Sequence, residues 1–192
     1  MDRAKRAEAL AREVISLAQG TLMVHIRFLD RSLAFLNPVP HDTLMLATDG
    51  AHLYYDPWFV LGKYKWEQNY INRALLHCLL HCVFRHGFVG KEIDRPRWDL
   101  ACDIAVENMI TDLNLKSVIV ARERQQVPYI DAIKKELGMV TAEKIYSYLR
   151  TAYPDPNKIA QIRGLFYADN HEIWYMTGEE KAVAYGLPQS GD

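Results

Sequence analysis

The chain has 192 residues and a formal net charge of -1, with 49% apolar and 24% charged residues. This length and composition are typical of one folded domain with a full hydrophobic core. The near-neutral charge and the lack of basic clusters argue against a nucleic-acid-binding surface. No stretch reaches the roughly 18 apolar residues that a membrane span needs, and the charged N-terminus is unlike a secretory signal. We therefore expect a cytoplasmic protein that binds neither nucleic acid nor membrane.

The N-terminal part of the chain is predicted to be helical. Residues 3–19 have the apolar spacing of an amphipathic helix, which Gly20 could end. A second apolar pattern covers 21–36 and is broken by the proline-containing sequence 37–40.

A short β region follows. Residues 43–48 and 52–55 are strand-like, and Asp49-Gly50 between them favours a hairpin. Asp56-Pro57 ends the hairpin and could open a short helix.

The longest periodic segment predicts a helix over 66–86, with Gly87 as its C-terminal cap. Further helices are expected over 96–113, 129–138 and 141–152, the last of them capped by Thr141. These elements indicate an α+β fold that is mainly helical, with a short β-hairpin or small sheet.

The remaining segments are predicted to lack regular structure. They are 114–128, a turn at 153–156, and the chain from 177 onward, which looks loosely ordered. We therefore assign residues 1–176 to the folded domain and 177–192 to a tail or the start of a linker.

A histidine pair lies inside the longest predicted helix. Residues four apart on a helix lie about 40° apart in projection, so His77 and His81 point the same way and could take two corners of a zinc tetrahedron. This is the spacing of the HExxH motif, in which the residue after the first histidine is a glutamate that takes a proton from the zinc-bound water. Here that residue is Cys78, so the catalytic position has lost its base.

Other side chains could complete a metal site. Asp99, Asp103 and Glu107 follow one another at four-residue spacing in the next helix and share one face. Asp103 has apolar neighbours, so it is expected to be buried and to need a partner, whereas Asp99 is more simply explained as solvated. A separate histidine, His171, occurs near the C-terminal end, and either it or Asp103 could be the third ligand.

The other histidines have simpler interpretations. On an unbroken helix His86 lies about 180° from His77, so it is interpreted as a helix-end residue that could join the site only if the helix ended first. His25, His41 and His52 have no cluster of ligand residues around them and are interpreted as structural.

Three cysteines, Cys78, Cys82 and Cys102, lie in the same part of the chain as the histidine pair. A cytoplasmic location favours free thiols over disulfides. They are either small buried residues of two packed helices or participants in thiol or metal chemistry.

Five short motifs, taken in order, resemble a known family. They are Tyr55-Asp56-Pro57, the histidines at 77, 81 and 86, the run from Trp98 to Glu107, the run from Ala142 to Tyr146, and the run from Asp169 to Trp174. The chain is similar over roughly residues 5–176 to the metallopeptidase domain that precedes a von Willebrand A-like domain in bacterial proteins. The resemblance implies a zincin-like fold, a zinc cofactor, a peptide or protein substrate if active, and partnership with an AAA+ ATPase and a von Willebrand A-like domain.

The chain departs from the family's pattern at four positions, which carry Cys78, Asp99, Cys102 and Glu107. Three functional hypotheses follow. The first is a catalytically impaired zinc-binding protein, with His77, His81, His171 and Asp103 as candidate ligands. The second is an active atypical hydrolase in which Glu107 or Glu172 replaces the base, and the third is a metal-free interaction module.

Overall fold

Three of the helices begin at an aspartate that is followed closely by a proline. The side chains of Asp56, Asp94 and Asp155 each accept a hydrogen bond from a backbone N–H of the first turn, and each helix has proline at its first or second position. An aspartate cap satisfies an otherwise unpaired N–H, and proline lacks the N–H that this turn would leave unpaired. The sequence therefore sets these helix starts locally.

The computed structural model describes residues 2–43, 45–90 and 92–186. Over these residues the chain forms nine α-helices and three β-strands. The helices are α1 (Arg3–His25), α2 (Asp30–Phe35), α3 (Pro57–Trp66), α4 (Asn69–Val83), α5 (Arg95–Leu113), α6 (Glu123–Leu137), α7 (Ala142–Ala152), α8 (Pro156–Phe166) and α9 (Gly178–Tyr185). The strands are β1 (Asn37–Pro40), β2 (Leu46–Thr48) and β3 (His52–Tyr55). None of these helices is both long and apolar enough to cross a membrane.

The strands form one small mixed sheet in the order β1-β3-β2. β2 and β3 form the expected antiparallel hairpin, with Leu46 opposite Tyr55, and β1 adds to β3 in parallel. The outer edge of β2 pairs with a later segment, because the Asn170 N–H donates to the Leu46 carbonyl over 2.7 Å. This contact holds the residues on either side of Asn170 beside the hairpin.

The core has two main parts that meet at α5. One part packs α1 and α4 against the sheet, and the other packs α5 against α7 and α8. Val106 and Ile110 face the first part, whereas Leu100 and Ile104 face the second. Full burial of one such side chain stabilises the fold by about 1.5–3 kcal/mol, which explains why α5 is apolar on two sides.

The structure confirms the mainly helical α+β class, the hairpin, α5 and the Thr141 cap of α7. Several boundaries predicted from sequence are wrong. Gly20 does not end α1, which continues to His25, because a glycine inside an exposed helix costs only about 1 kcal/mol. The helix expected over 21–36 is instead the end of α1, a 3-10 turn at Arg27–Leu29 and α2. The break at 37–40 is confirmed, and these residues form β1, an edge strand, where proline is tolerated because no partner needs its N–H.

Other differences lie in segments expected to be helical or irregular. The expected helix over 66–86 is α4, which begins at Asn69 and ends at Val83, and the short helix expected after Asp56-Pro57 is α3. The second half of the segment 114–128 already belongs to α6, and α8 was not predicted. The chain from 177 onward is not loosely ordered throughout, because Thr177 caps α9 through a capping box; residues 187–192 lie outside the described part.

Candidate metal centre

The histidine pair of α4 faces inward as its spacing predicts. The Nε2 atoms of His77 and His81 lie 2.8 Å apart, and both side chains are buried. They face α5, because α4 packs directly against it. The two imidazoles therefore present lone pairs to a common point inside the protein.

Three further side chains reach the same point. Asp103 comes from α5, and Asp169 and His171 come from the segment held against β2. One ligand atom from each of the five residues lies within 4.8 Å of the other four, and all five residues are buried. The fold thus brings together every predicted metal ligand, His77, His81, Asp103 and His171.

Asp169 is a site residue that the sequence prediction missed. Its Oδ1 lies 2.9 Å from His171 Nε2 and 3.4 Å from His77 Nε2. The available signal was its position two residues before His171, in the run from Asp169 to Trp174. Residues two apart share a face only where the chain is extended, and the fold shows that it is, because Asn170 between them pairs with Ala47.

The separations around Asp103 Oδ1 fit a bound metal ion. The Nε2 atoms of His77 and His171 each lie 3.3 Å from Asp103 Oδ1, and that of His81 lies 3.4 Å from it. Ligands at the corners of a zinc tetrahedron, about 2.0–2.1 Å from the ion, are about 3.3 Å from one another. Asp103 Oδ2 is buried and makes no hydrogen bond within the described residues, and a buried carboxylate oxygen left without a proton donor is suited to a cation.

Each histidine of the cluster faces a polar side chain at its other ring nitrogen, and two of them form a hydrogen bond there. His77 Nδ1 lies 2.8 Å from Glu107 Oε1, and His81 Nδ1 lies 2.9 Å from His86 Nδ1. His171 Nδ1 faces Asp99 Oδ1 at the longer distance of 3.4 Å. A proton on Nδ1 leaves the Nε2 lone pair free, which is the arrangement that metal-binding histidines need.

Glu107 is held as a carboxylate by two arginines. Arg73 is fully buried and binds Glu107 Oε2, while Arg122 donates to Oε1 over 2.8 Å. Burial alone would raise the pKa of Glu107, but the charge of Arg122, followed by the contacts with His77 and Arg73, lowers it. Because each oxygen already accepts from these partners, Glu107 is better placed to orient His77 than to activate a water molecule.

The buried carboxylates of the cluster shift the pKa values of its histidines. Burial disfavours a charged imidazole, yet the carboxylates of Asp169 and Asp103 raise the pKa of His171 to about 10. Those carboxylates and Glu107 likewise raise the pKa of His77. Burial and the charge of His77 lower the pKa of His81 to about 4. A divalent cation bound by the Nε2 atoms would compete with these protons, so metal binding releases protons.

Cys78 is fully buried beside the cluster but supplies none of its ligand atoms. Its thiol donates to Asp169 Oδ2 with a sulfur–oxygen distance of 3.6 Å. Burial, and then the charge of Asp169, raise the pKa of this thiol. Cys78 is therefore a protonated donor to a cluster carboxylate, the opposite of a proton-accepting glutamate.

The other two cysteines are also free thiols, as expected. Cys82 donates to the Cys78 carbonyl over 3.2 Å, and Cys102 packs in the core shared by α5, α7 and α8. Among the described residues, neither belongs to the cluster of ligand atoms.

His86 follows the end of α4, as predicted, but it also contacts the cluster. Arg85 has a φ of 59°, a left-handed conformation, and it reverses the chain directly after α4. His86 is therefore turned back into the protein, where it is buried against His81. Because α4 ends at Val83, before His86, the condition under which His86 could join the site is met.

The expectation that Asp99 is solvated is wrong. Asp99 is 5% exposed and accepts hydrogen bonds from Tyr175 Oη over 2.6 Å and from Arg163 over 3.1 Å. Both partners come from segments distant in sequence, so the periodicity of α5 alone could not show them. Asp99 instead lies beside His171.

The histidines outside the cluster have structural contacts, as predicted. His25 bonds the Thr21 carbonyl, His52 bonds Asp49, and His41 contacts α9 through the Ala184 carbonyl. His41 also stacks on Tyr185 at a ring distance of 4.5 Å, which attaches the end of α9 to the sheet.

Trp174 covers the cluster on the side of the hairpin. Its ring stacks on His171 at 3.7 Å, and its indole N–H donates to the Thr48 carbonyl over 3.2 Å. The ring lies so close to Gly87 that a Cβ there would be 3.2 Å from two ring atoms. Gly87 thus allows the tryptophan to close over the cluster.

A model of the family described as "Putative metallopeptidase domain" matches residues 4–185. The chain belongs to this family. No curated protein and no solved structure matched the chain. The matched part of the chain contains all five cluster residues and includes α9.

Proposed function

We propose that this metallopeptidase domain binds zinc and that its hydrolytic step is impaired. The observation that carries the proposal is the convergence of five buried ligand atoms beside a thiol that stands where the motif needs a carboxylate. Catalytic zinc sites use three protein ligands and keep one position open, whereas closed sites fill every position with protein. Five candidate ligand atoms lie around one point, so a zinc site that keeps a position open would use three of them.

When bound, zinc would supply Lewis-acid polarisation of a carbonyl group. The protein's own residues account for the rest of the proposal. Glu107 and His86 orient His77 and His81, and Asp103 and Asp169 balance the charge of the ion. The thiol of Cys78 does not accept a proton from water, because it is buried and donates to Asp169.

Metal content tests the binding half of the proposal. Protein purified without added metal should contain about one zinc ion per chain by mass spectrometry, and EDTA should lower its melting temperature. Competition among manganese, iron, cobalt and zinc would show whether zinc is preferred. A protein that is free of metal and melts at the same temperature with zinc and with EDTA would contradict the proposal.

The exchange Cys78→Glu tests the catalytic half. A general base contributes typically about 10²–10⁴-fold to a rate, so the variant should gain peptidase activity of that order on casein. Cys78→Ser is the matched control, because it supplies a polar atom without a proton-accepting carboxylate. Metal content and melting temperature establish that both variants are folded and loaded. A parent protein that cleaves casein as fast as the folded, loaded Cys78→Glu variant would refute the impairment.

The cytoplasmic location, the AAA+ ATPase and the von Willebrand A-like partner belong to the same proposal and rest on sequence and resemblance alone. Copurification of the chain with such an ATPase would support the partnership. The metal-free interaction module differs from our proposal in one measurable way: substitution of both His77 and His81 by alanine would leave its stability unchanged.

A further inference from the structure

Two neighbouring cavities open beside the metal cluster on the His171 side. The first, of about 930 Å³, includes Asp99 and His171 in its lining. The second, of about 740 Å³, lies between the start of α5 and α8. The two cavities share Pro96, Arg163 and Tyr167, so they form one cleft with two chambers. Each chamber is of the size that binds small ligands or single side chains with their backbone.

The chamber next to His171, here called the acidic chamber, is lined by four carboxylates and two guanidinium groups. The carboxylates belong to Asp99, Glu172, Glu179 and Glu180, and the guanidinium groups belong to Arg95 and Arg163. Arg163 is paired with Asp99, and Arg95 lies over the Tyr175 ring at 4.4 Å.

The glutamates of the acidic chamber are poorly neutralised. Within the described residues, Glu172 and Glu179 form no ion pair, and Glu180 accepts a hydrogen bond from the Thr177 backbone. An excess of carboxylates in a concave surface attracts a cation, since low-dielectric walls focus the field. The chamber therefore favours a positively charged group.

A second observation marks the floor of the acidic chamber. His171 is only 2% exposed, yet it lines the chamber. Its Nδ1 makes no hydrogen bond within the described residues. It lies 3.4 Å from Asp99 Oδ1, and a buried ring nitrogen that makes no hydrogen bond is costly unless a ligand or a water molecule meets it. The floor of the chamber thus presents an unused polar atom directly behind the metal cluster.

The other chamber, here called the apolar chamber, has a different lining. Its apolar surface comes from Pro96, Pro156, Ile159, Ala160 and Gly164. Its charged residues are already paired: Asp94 with Arg97, and Arg163 with Asp99 of the acidic chamber. This chamber therefore favours an uncharged side chain.

We propose that the cleft binds one extended peptide segment that carries a lysine or arginine side chain in the acidic chamber and an apolar side chain in the apolar chamber. The chemistry of the two linings selects this ligand over an acidic peptide, and the position next to His171 places the basic residue beside the metal cluster. The inference names the ligand class of the site and rests on the proposed function for the role of the metal.

Peptide binding by the full chain tests this inference. The probes are fluorescein-labelled hexapeptides with Lys-Leu or Leu-Lys at their centre, and matched peptides with glutamate in place of lysine. By fluorescence anisotropy, at least one lysine peptide should bind about tenfold or more tightly than its glutamate counterpart, and its affinity should fall as salt rises. Equal binding of the lysine and glutamate peptides, or binding of neither, overturns the proposal.

Two variants locate the ligand in the chambers. The triple variant Glu172→Gln, Glu179→Gln, Glu180→Gln should remove the preference for lysine, and glutamine at 180 keeps the capping box of α9. The control is a second triple variant that removes the same number of negative charges from exposed residues elsewhere: Glu13→Gln, Glu92→Gln, Glu136→Gln. A preference that survives the first triple variant overturns the assignment of the acidic chamber.

Gly164→Leu should fill the apolar chamber. A Cβ at Gly164 meets nothing within 4 Å, so the added side chain projects into open space and the helix is not strained. We expect at least a tenfold loss of affinity for the lysine peptide. Gly20→Leu is the matched control, because Gly20 also lies in a helix with free space at its Cβ. Equal affinities of the two variants would exclude the apolar chamber as the site.

Metal analysis of the same samples separates this inference from the proposed function. A zinc-loaded protein that binds no peptide would overturn the cleft and leave the metal site intact. A metal-free protein that still prefers the lysine peptide would support the cleft and overturn the proposed function.

Discussion

His77 Nδ1 lies 2.8 Å from an oxygen of Glu107, and the same carboxylate is held by Arg73 and Arg122. This relationship fixes both the orientation and the tautomer of His77, because a proton shared with Glu107 leaves Nε2 unprotonated and directed at the other ligand atoms. The two arginines thus act on the candidate metal centre indirectly, because they hold the carboxylate that orients His77.

Glu107→Gln should weaken both metal binding and folding. The amide keeps the shape of the side chain but leaves two guanidinium groups without their shared charge, so a loss of about 3–5 kcal/mol in the free energy of unfolding is expected. Metal affinity should fall about 10–100-fold. Urea denaturation and competition with a chelator measure the two effects. Glu13→Gln, an exposed change of the same charge, should alter neither.

His86→Ala should weaken metal binding through His81. The substitution removes the ring that lies 2.9 Å from His81 Nδ1, so the proton on that nitrogen loses its protein partner. We expect about a tenfold or larger loss of metal affinity in the chelator assay. His25→Ala removes a histidine on the surface of α1 and should have no effect. An unchanged affinity for His86→Ala would mean that His81 is oriented by packing alone.

The stability of the protein in EDTA should fall as pH rises through the alkaline range. The pKa of His171 is raised to about 10, and that of His77 is also raised, so the folded state holds protons that the unfolded chain releases at about pH 6.5. Stability from these groups is complete below about pH 6.5 and is lost towards pH 10. The lowered pKa of His81, about 4, acts only below this window. Urea denaturation between pH 6 and 10 tests the sign.

Metal affinity should follow pH in the opposite direction. The imidazoles of His77 and His171 must lose their protons to bind a cation, so affinity should rise with pH across the same window. Isothermal titration in buffers of different ionisation enthalpy should report the release of protons when zinc binds. An affinity that is independent of pH would contradict a site built from these histidines.

Gly87→Ala should disturb the packing over the cluster. The new Cβ would lie 3.2 Å from two atoms of the Trp174 ring, which is itself held by His171 and by the Thr48 carbonyl. Overpacking of this kind costs about 1–3 kcal/mol. Gly90→Ala, where a Cβ meets nothing within 4 Å, is the matched control. The melting temperature and the tryptophan fluorescence should change only in the Gly87 variant.

Local patterns in the chain predicted the parts of the fold that depend on neighbours in sequence. The hairpin around Asp49-Gly50 and the Thr141 cap follow from turn and capping chemistry, and both are present. The predictions failed where a packing partner decided the outcome. α1 runs through Gly20, and α9 forms although its own residues are mostly exposed, with Tyr185 stacked on His41.

The candidate site divides in the same way. His77 and His81 share a face because residues four apart on any α-helix do, so the sequence alone determined that pair, and it placed Cys78 at the position of the missing base. Only the tertiary structure decided that Asp169 joins the cluster and that His86 and Asp99 support it. The physical reason is that these side chains reach the cluster through a left-handed turn at Arg85, a pairing with β2 and hydrogen bonds from distant segments, none of which leaves a periodic signal in the sequence.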